Sequence, residues 1–302
     1  MMQTFNSEVM AEEILLNVQN ETASLEAVIV GIGIDEGTAH YQNNPKIMEH
    51  IEKGTYPPEE VLAGQVDNLA SALEQEGVTV YRPANIPDVN QIFTRDIGFV
   101  IDGFFIKANM KRDNRKPEYD GIQHIIAQFP EDKILYPPKH ATIEGGDVLL
   151  WGEHIFVGIS KRTNQAGVDF LQEKFPHKKV HALHVKVTDD PKTNILHLDC
   201  TFQPVGDKYA IIFEDGFEKR PAIIYELFEE ENLIKVTAEE MYSMFPNVVS
   251  ISPTCVASEK HFTRLNEALK AKGIRVVEVA YNEVSKLSGL FRCSTMPLRR
   301  RY

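Results

Sequence analysis

The sequence predicts an α/β protein in which a hairpin, a helix and a further strand recur about five times along 302 residues. Three observations support this fold class. Short apolar runs occur in pairs joined by turn signals, helical segments follow the pairs, and the unit returns at spacings of about 50 residues. Such a repeat fits a ring of similar modules better than one open parallel sheet. No linker or composition shift divides the chain, so we expect residues 1–302 to form a single domain.

The first unit is predicted from an apolar strand, an amphipathic helix and a second strand. AVIVGIG, from Ala27, is apolar throughout, which is typical of a buried strand, and VTVYRP forms the second strand. Pro57 and Pro58 favour a helix start between the two strands, and Gly77 favours the helix end. The apolar residues of this helix share one face: Leu62, Val66, Leu69 and Leu73.

Three hairpins are predicted next, each from two apolar runs joined by a turn. IGFVI and FFIKA flank Asp102-Gly103, DVLLW and HIFVGI flank Gly152-Glu153, and CTFQPV and YAIIF flank Gly206-Asp207. We expect helices over about 119–129, 164–175 and 222–228 after these hairpins, each followed by a strand: ILYP, VHALHV and LIKVT.

The last unit is predicted from residue 247 onward. NVVSISP and TCVAS lead into a helix that we expect Ser258 to cap, with Phe262, Leu265 and Leu269 on one face and Gly273 at its end. The strand IRVVEVA follows. We expect LFRCSTMPL to form a closing strand that pairs with the N-terminal AVIVGIG.

Charge and hydropathy exclude several classes of protein. The chain has 32 Lys and Arg against 44 Asp and Glu, and its net charge of −12 disfavours nucleic acid and anionic membranes as partners. The basic run 299–301 is expected to be a solvated tail. No run of about 18 apolar residues exists. Glu8, Glu12 and Glu13 stand where a signal peptide would be basic, so we expect a cytoplasmic protein without a membrane segment.

The cysteines and histidines do not predict a disulfide framework or a metal site. Cys200, Cys255 and Cys293 are widely scattered, and the first two are expected to be small buried hydrophobes. Three histidines precede or lie in a predicted strand at spacings that do not share one side: His177, His181 and His184. No G-x-G-x-x-G loop is present, so no cofactor is expected. The sequence leaves a homo-oligomer open.

Four polar clusters interrupt the apolar pattern beside predicted strands. They are NQIFTRD (90–96), IEGGD (143–147), LHLDC (196–200) and LFRCSTMPL (290–298). Carboxylates and a histidine beside buried strands must be paired, and a bound cation can pair them. Each cluster alone is compatible with a turn cap or a bridge between units. Because four occur at the same stage of successive units, we favour a shared pocket on the axis of the ring.

Together these clusters resemble the guanidino-group-modifying superfamily, which includes arginine deiminase, dimethylarginine dimethylaminohydrolase and glycine amidinotransferase. FTRD, EGGD and HLD resemble arginine deiminase, and GISKRTNQAG (158–167) resembles dimethylarginine dimethylaminohydrolase. EGVTVYRP, HLDCTF and CSTMPLRRR resemble the amidinotransferases. The likeness covers most of the chain. It implies a pentein-like five-module α/β propeller that forms one catalytic domain and needs no cofactor.

A guanidinium group is planar, cationic and poorly electrophilic, so its modification requires a soft nucleophile and charged partners that hold the plane. The resemblance implies that Cys293 attacks as the thiolate. It implies that His197 protonates the leaving amine and then activates water, and that Glu144 orients His197. Asp96 and Asp199 are implied to accept hydrogen bonds from the substrate N–H groups.

The other end of the substrate is expected to carry a carboxylate. Arg162 in KRTN and Arg115 in NRKPE match family positions that bind it, and Asn90 is expected to assist. Arginine suits this task because its planar fork pairs with both carboxylate oxygens. For each arginine the alternative is a surface ion pair, since acids are in excess. The expected partner is therefore a small guanidino compound.

Departures from the family leave the reaction open. The chain has no room for the helical insertion of long arginine deiminases, has SGLFRC in place of their Gly-rich run, and carries Asp199, which dimethylarginine hydrolases lack. We expect a cysteine-dependent C–N hydrolase that converts arginine or a methylated arginine to citrulline through a covalent thiouronium intermediate. An amidinotransferase that moves the amidino group of arginine to an acceptor amine is the alternative. A non-catalytic protein that binds a cationic ligand is a further one.

Overall fold

The computed structural model describes residues 13–37 and 44–302. Glu8 and Glu12 lie outside these ranges. The described strands are β1 (Ser24–Val30), β2 (Thr79–Tyr81), β3 (Gly98–Ile101), β4 (Phe104–Lys107), β5 (Ile134–Leu135), β6 (Val148–Trp151), β7 (His154–Ile159), β8 (Lys179–His184), β9 (Phe202–Val205), β10 (Tyr209–Ile212), β11 (Leu233–Lys235), β12 (Val249–Ser252), β13 (Cys255–Glu259), β14 (Arg275–Val279) and β15 (Thr295–Arg301). The described α-helices are α1 (Pro45–Glu52), α2 (Glu59–Gln75), α3 (Gln123–Ile126), α4 (Gln165–Lys174), α5 (Ala222–Leu227), α6 (Ala238–Tyr242) and α7 (Thr263–Ala271).

These strands form five three-stranded sheets with one shared plan. In each sheet the first two strands pair antiparallel, and the second strand pairs parallel with the third: β3–β4–β5, β6–β7–β8, β9–β10–β11, β12–β13–β14 and β15–β1–β2. A parallel pair needs a crossover, which the helical segments between the second and third strands supply. The predicted α/β repeat is confirmed, and five such sheets fit a five-module ring.

The two ends of the described chain build the fifth sheet together. β15 pairs antiparallel with β1, from Val30 opposite Thr295 to Ser24 opposite Arg301, and β1 pairs parallel with β2. The predicted closing strand is therefore confirmed, although it begins only at Thr295. Cys293 lies in the turn that leads into β15.

The prediction of a solvated tail over residues 299–301 is wrong, because these residues lie in β15. Side chains alternate along a strand, and Arg300 points inward with 1% of its surface exposed. Its guanidinium donates hydrogen bonds to the carbonyl oxygens of Ala23 and Ser250. Arg300 thus ties β15 to two neighbouring segments.

Helix α2 confirms the predicted first helix. The four residues of its apolar face are fully buried: Leu62, Val66, Leu69 and Leu73. Gly77 follows the helix with a φ of 82°, a left-handed conformation that favours glycine. None of the helices in the described ranges combines the length and apolarity that a membrane span requires.

Two local helix predictions are wrong. The helix expected over 119–129 is a 3-10 segment over Asp113–Ile122 followed by the four-residue α3, because Pro117 and Gly121 disfavour a continuous α-helix. Ser258 does not cap a helix, since it lies inside β13 and pairs with β14. α7 begins at Thr263, and the predicted apolar face of that helix is nevertheless buried.

Candidate active site

Six of the eight predicted site residues line one small cavity of about 50 Å³. They are Asn90, Asp96, Arg115, Arg162, His197 and Cys293. Glu144 and Asp199 are fully buried behind this wall, where Glu144 bonds to His197 and Asp199 lies beside the Cys293 sulfur. The structure therefore brings all eight residues to one place.

Each sheet delivers its site residue from the same point of the fold, the turn that enters its first strand. Asp96 precedes β3, Glu144 precedes β6, and Cys293 precedes β15. His197 and Asp199 lie in and next to a 3-10 turn before β9. Because the modules share one plan, these turns converge, as the four polar clusters predicted.

His197 is held between two carboxylates. Its Nε2 lies 2.9 Å from Glu144 Oε2, and its Nδ1 lies 3.6 Å from Asp96 Oδ1. Burial alone lowers the pKa of His197, but the surrounding carboxylates, led by Asp96, outweigh burial and raise this pKa to about 9. The imidazole is therefore protonated at neutral pH, and it can act as an acid.

Glu144 is engaged on both of its oxygens. Oε2 accepts from His197 and, at 3.2 Å, from Arg162, while Oε1 accepts from the backbone N–H of Lys111 at 3.1 Å. Burial alone raises the pKa of Glu144, but the hydrogen bond from His197 and the charge of Arg162 outweigh it and hold this pKa well below its usual range. Glu144 thus stays ionised and fixes the orientation of the imidazole.

The sulfur of Cys293 faces a carboxylate and an amide. Sγ lies 3.6 Å from Asp199 Oδ2 and accepts a hydrogen bond from Asn247 Nδ2 at 3.1 Å. Burial and the negative charges of Asp199 and Asp96 raise the pKa of the Cys293 thiol well above its usual value. Cys293 is therefore a thiol at neutral pH in the structure described.

Asp199 is neutralised on its far side by a buried arginine. Arg292 donates to Asp199 Oδ2 at 2.9 Å, to Glu21 Oε1 at 3.0 Å and to the carbonyl oxygen of Val148 at 2.7 Å. Arg292 is fully buried. The arrangement links the segment before β1 to the Cys293 turn.

Arg115 and Asp96 form a second buried ion pair. Arg115 donates to Asp96 Oδ2 at 2.7 Å and to both carboxylate oxygens of Glu118, at 2.7 and 2.9 Å. Among the described residues, Asp96 Oδ1 and His197 Nδ1 are buried without a hydrogen-bond partner. Such atoms are costly, and they indicate a ligand with an N–H group that donates to Asp96 Oδ1 and an atom that accepts from the protonated Nδ1 of His197.

Asn90 lies at the edge of the cavity. Its side-chain oxygen accepts from the backbone N–H of Ile92 at 3.1 Å, and its side-chain nitrogen donates to Glu36 Oε2 at 3.2 Å. It is partly exposed. Asn90 is therefore held by its own loop while it lines the cavity.

Asp96, Glu144 and His197 also have the geometry of a metal site. Of the described residues, these three offer ligand atoms that all lie within 4.8 Å of one another. However, Arg115 pairs with Asp96, Arg162 pairs with Glu144, and Glu144 already accepts from His197. Two arginine charges at this distance oppose a divalent cation, so the residues fit a planar organic cation better.

The close approach of Asp96 and His197 requires glycine in the EGGD segment. A Cβ atom on Gly146 would lie 2.7 Å from Asp96 Oδ1 and 2.8 Å from His197 Cγ. A Cβ atom on Gly145 would lie 2.1 Å from the carbonyl oxygen of Arg95. All three distances are shorter than real Cβ contacts, so any side chain at Gly145 or Gly146 would push the site apart.

Sequence reasoning missed Asn247, which is fully buried beside Cys293. Its Oδ1 accepts from the backbone N–H groups of Leu290 and Cys293, each at 3.1 Å, and its Nδ2 reaches the Cys293 sulfur and the carbonyl oxygen of Asp199. Asn247 precedes β12, the first strand of its sheet. The repeat itself carried the signal, since the other four sheets place their site residues at this stage.

Comparisons with known proteins agree on one superfamily. Residues 33–300 match the family described as eukaryotic N,N dimethylarginine dimethylhydrolase. The chain is 32% identical over 238 residues to the uncharacterized protein YkgA of Bacillus subtilis, which covers 78% of this chain and 79% of that protein. It is 24% identical to the mitochondrial glycine amidinotransferase of Danio rerio, covering 96% of this chain and 84% of the relative. It is 28% identical to arginine deiminase of Listeria monocytogenes, and the alignment covers 71% of this chain and 62% of that protein.

Solved structures share the fold. SxtG, an amidinotransferase of saxitoxin biosynthesis from Microseira wollei, has a TM-score of 0.79 at 20% identity and covers 95% of this chain and 98% of its own. The N-terminal domain of ArgZ, a cyanobacterial arginine dihydrolase, has a TM-score of 0.79 at 18% identity, and the match covers 91% of this chain and 98% of that domain.

Proposed function

The chain belongs to the N,N-dimethylarginine dimethylhydrolase family of guanidino-modifying enzymes, and from that membership we propose that it is a cysteine-dependent C–N hydrolase. Its substrate is arginine or an N-substituted, methylated arginine, and its products are citrulline and ammonia or an amine. One observation carries the proposal: Asp96 Oδ1 and His197 Nδ1 are buried without partners at the cavity that Cys293 lines. The proposal treats residues 1–302 as one catalytic domain, because β15 completes the sheet of β1.

The guanidinium binds as a flat cation between carboxylates. Asp96 Oδ1 accepts one N–H, and Asp199, at 3.6 Å from the Cys293 sulfur, accepts another, so the central carbon faces that sulfur. Arg162, with Asn90 and Arg115 nearby, is proposed to meet the carboxylate at the other end. Orientation of this kind can lower a typical activation free energy by several kcal/mol.

The substrate cation also ionises the nucleophile. Burial, and after it the carboxylates of Asp199 and Asp96, keep the pKa of the Cys293 thiol high, and a guanidinium placed between the two carboxylates offsets their effect on the sulfur. The thiol proton leaves to solvent, because His197 is already protonated. Binding of the substrate therefore also lowers the pKa of the Cys293 thiol.

The thiolate then displaces the leaving amine. A bond forms between Sγ and the guanidinium carbon, and the C–N bond to ammonia or the amine breaks in the tetrahedral adduct as His197 gives that nitrogen its proton. Nδ1 is the proposed donor, since Nε2 is bonded to Glu144. The product of this step is an S-alkylthiouronium on Cys293.

Water completes the reaction. Neutral His197 takes one proton from water, whose oxygen bonds to the same carbon; the C–S bond then breaks, and the second proton of that oxygen passes to the departing sulfur, which leaves a urea group and the Cys293 thiol. The negative charges of Asp96 and Glu144 raise the pKa of His197 and so favour its return to the protonated form. One substrate and one water are consumed, and the enzyme returns to its starting state.

Citrulline formation from arginine and from N-methylated arginines, in wild type and Cys293→Ala, tests this function. We expect loss of activity by a factor of at least about 10⁴ in the variant, because no other group can form the intermediate. Equal activity of the two proteins would sink the proposal.

An amidinotransferase is the second candidate, supported by the likeness to glycine amidinotransferase and by a large cavity beside the site. In that case an amine replaces water in the last step. Arginine would yield ornithine only when an acceptor amine is added. Ornithine without an acceptor, or no ornithine at all, argues against this candidate.

A binding protein without catalysis is the third candidate. A haloamidine that mimics the guanidinium distinguishes it, because a nucleophilic Cys293 forms a stable adduct that mass spectrometry detects. A binding protein leaves Cys293 unlabelled, whereas an enzyme of either kind is labelled.

A further inference from the structure

A second cavity of about 370 Å³ adjoins the small cavity around Cys293. Residues that line both are Asn44, Arg112, Arg162, Leu196 and Ser288. The small cavity has about 50 Å³, and since one water needs about 10–15 Å³ on the same measure, it has room for about four heavy atoms. That is the size of a guanidinium head. The rest of a substrate therefore lies in the larger cavity, which we call the tail cavity.

The tail cavity is basic, although the whole chain carries a net charge of −12. Among the described residues, its walls hold four basic side chains: Lys46, Arg112, Lys161 and Arg162. Asp189 is the single carboxylate in the same lining. Its side chain is fully exposed and lies 3.6 Å from the Lys161 ammonium. Because Arg162 is already paired with the buried Glu144, the tail cavity favours an anion through its other basic side chains.

Lys46 is the most informative of these side chains because it is buried, with 5% of its surface exposed. Its Nζ donates to the carbonyl oxygen of Tyr242 and lies 4.3 Å from the centre of the Tyr242 ring. In the described part of the chain, no carboxylate forms an ion pair with this ammonium group. Burial lowers the pKa of Lys46 to about 7. A buried cation in a cavity wall without a carboxylate is costly, and an anionic ligand offsets that cost.

Resting on the proposed function, we infer that the tail cavity binds an anionic group of the guanidino substrate, that Lys46 is one of its contacts, and that an ammonium group on the tail is not required. The substrate class is therefore the ω-guanidino carboxylates. Arginine belongs to this class and carries an extra α-ammonium group, for which the lining offers only the exposed carboxylate of Asp189.

Three compounds that differ by one charged group test the inference on the wild-type enzyme. They are arginine, 5-guanidinopentanoate, which lacks the α-ammonium group, and agmatine, which lacks the carboxylate. We expect kcat/KM for 5-guanidinopentanoate to equal or exceed that for arginine, and kcat/KM for agmatine to be lower by about 100-fold or more. Agmatine turned over as well as 5-guanidinopentanoate would overturn the inference.

Lys46→Met tests the assigned contact. The ratio of kcat/KM for 5-guanidinopentanoate to that for agmatine should fall about tenfold, because only the first compound has a negative charge on its tail for Lys46 to meet. The matched control is Lys53→Met. Lys53 belongs to the same segment, but it is 61% exposed, pairs with Glu49 and does not line the tail cavity. A ratio unchanged in Lys46→Met, or lowered equally in Lys53→Met, contradicts the assignment.

Binding without turnover separates this inference from the proposed function. Calorimetric titration of Cys293→Ala with 5-guanidinopentanoate and with agmatine measures the tail preference alone. If wild type turns over none of the three compounds and no N-methylated arginine, but Cys293→Ala prefers 5-guanidinopentanoate, the proposed function fails and the inference stands. Equal affinity for both compounds defeats the inference, whatever the turnover.

Discussion

The side-chain amide of Asn247 donates a hydrogen bond to the sulfur of Cys293 over 3.1 Å. The same side chain accepts the backbone N–H of Cys293 at 3.1 Å, so one residue contacts both the backbone and the sulfur of Cys293. A donor aimed at sulfur favours the thiolate, whereas the nearby Asp199 carboxylate opposes it.

Asn247→Asp should raise the pKa of the Cys293 thiol further. The substitution keeps the oxygen that accepts the backbone N–H groups but replaces the amide donor with an acid group beside the sulfur. We expect the pH midpoint of iodoacetamide alkylation of Cys293, followed by peptide mass spectrometry, to rise by about one unit. Asn266→Asp is the control, since Asn266 is a buried asparagine that bonds to Glu259. A midpoint that is the same in all three proteins would show that Asn247 does not act on the thiol.

Gly146→Ala should impair catalysis through geometry alone. Its Cβ would lie 2.7 Å from Asp96 Oδ1, and the forced separation from His197 should cost about 100-fold in kcat/KM and about 1–3 kcal/mol of stability. Gly64→Ala is the control, because a Cβ atom on Gly64, inside α2, would meet no other atom within 4 Å. Gly64→Ala should raise the free energy of unfolding by about 0.5–1 kcal/mol and keep the wild-type kcat/KM. Wild-type activity in Gly146→Ala would contradict the assigned role of this contact.

Stability should fall as the imidazole of His197 loses its proton. The pKa of His197 is about 9 in the folded chain, against 6.5 for the ordinary residue. Its contribution is therefore fully present below pH 6.5 and is lost as pH rises through 9, a change on the order of 3 kcal/mol. The measurement is the free energy of unfolding in urea at pH 6.5, 8 and 9.5, for the wild type and for His197→Gln. The variant should show a smaller loss with pH, and parallel curves for the two proteins would refute the prediction.

Removal of Arg292 should destabilise the chain strongly. Arg292→Met leaves the buried carboxylates of Glu21 and Asp199 without their shared partner, which should cost about 3–5 kcal/mol of unfolding free energy. The control is Arg275→Met, which removes an exposed pair with Glu76 and should cost less than about 1 kcal/mol. Urea unfolding of both variants gives the comparison. A loss in Arg292→Met no larger than in Arg275→Met would be inconsistent with a buried ionic link.

The sequence predicted the fold and most of the site because both follow from a local pattern. A hairpin turn such as Asp102-Gly103 has a clear signal, and polar residues before a buried strand, such as Asp96 and Glu144, stand out against apolar neighbours. The prediction that these residues meet in one pocket required only the repeated order of strands and helices. The structure places those residues in and behind one cavity wall.

Other features depend on tertiary contacts that no local pattern reports. Asn247 stands at the stage of the repeat that the other site residues occupy, but it follows a proline in a short turn, where asparagine is common for reasons of backbone geometry alone, so the residue type by itself did not indicate a contact with Cys293. Arg300 belongs to a basic run, and its burial becomes visible only when β15 pairs with β1. Helix α1 was missed for a different reason: its cap Asn44 and Pro45 at its first position are a local signal of a helix start, which the prediction did not use.

The position of Cys293 just before β15 has a consequence for biosynthesis. Every other predicted site residue lies earlier in the chain, and β15, which follows Cys293, pairs with β1, which is translated long before it. A nascent chain that has been translated through residue 290 holds the acids and the imidazole but has no thiol at the site. On the proposed mechanism such a chain cannot turn over substrate, and turnover requires that β15 has paired with β1.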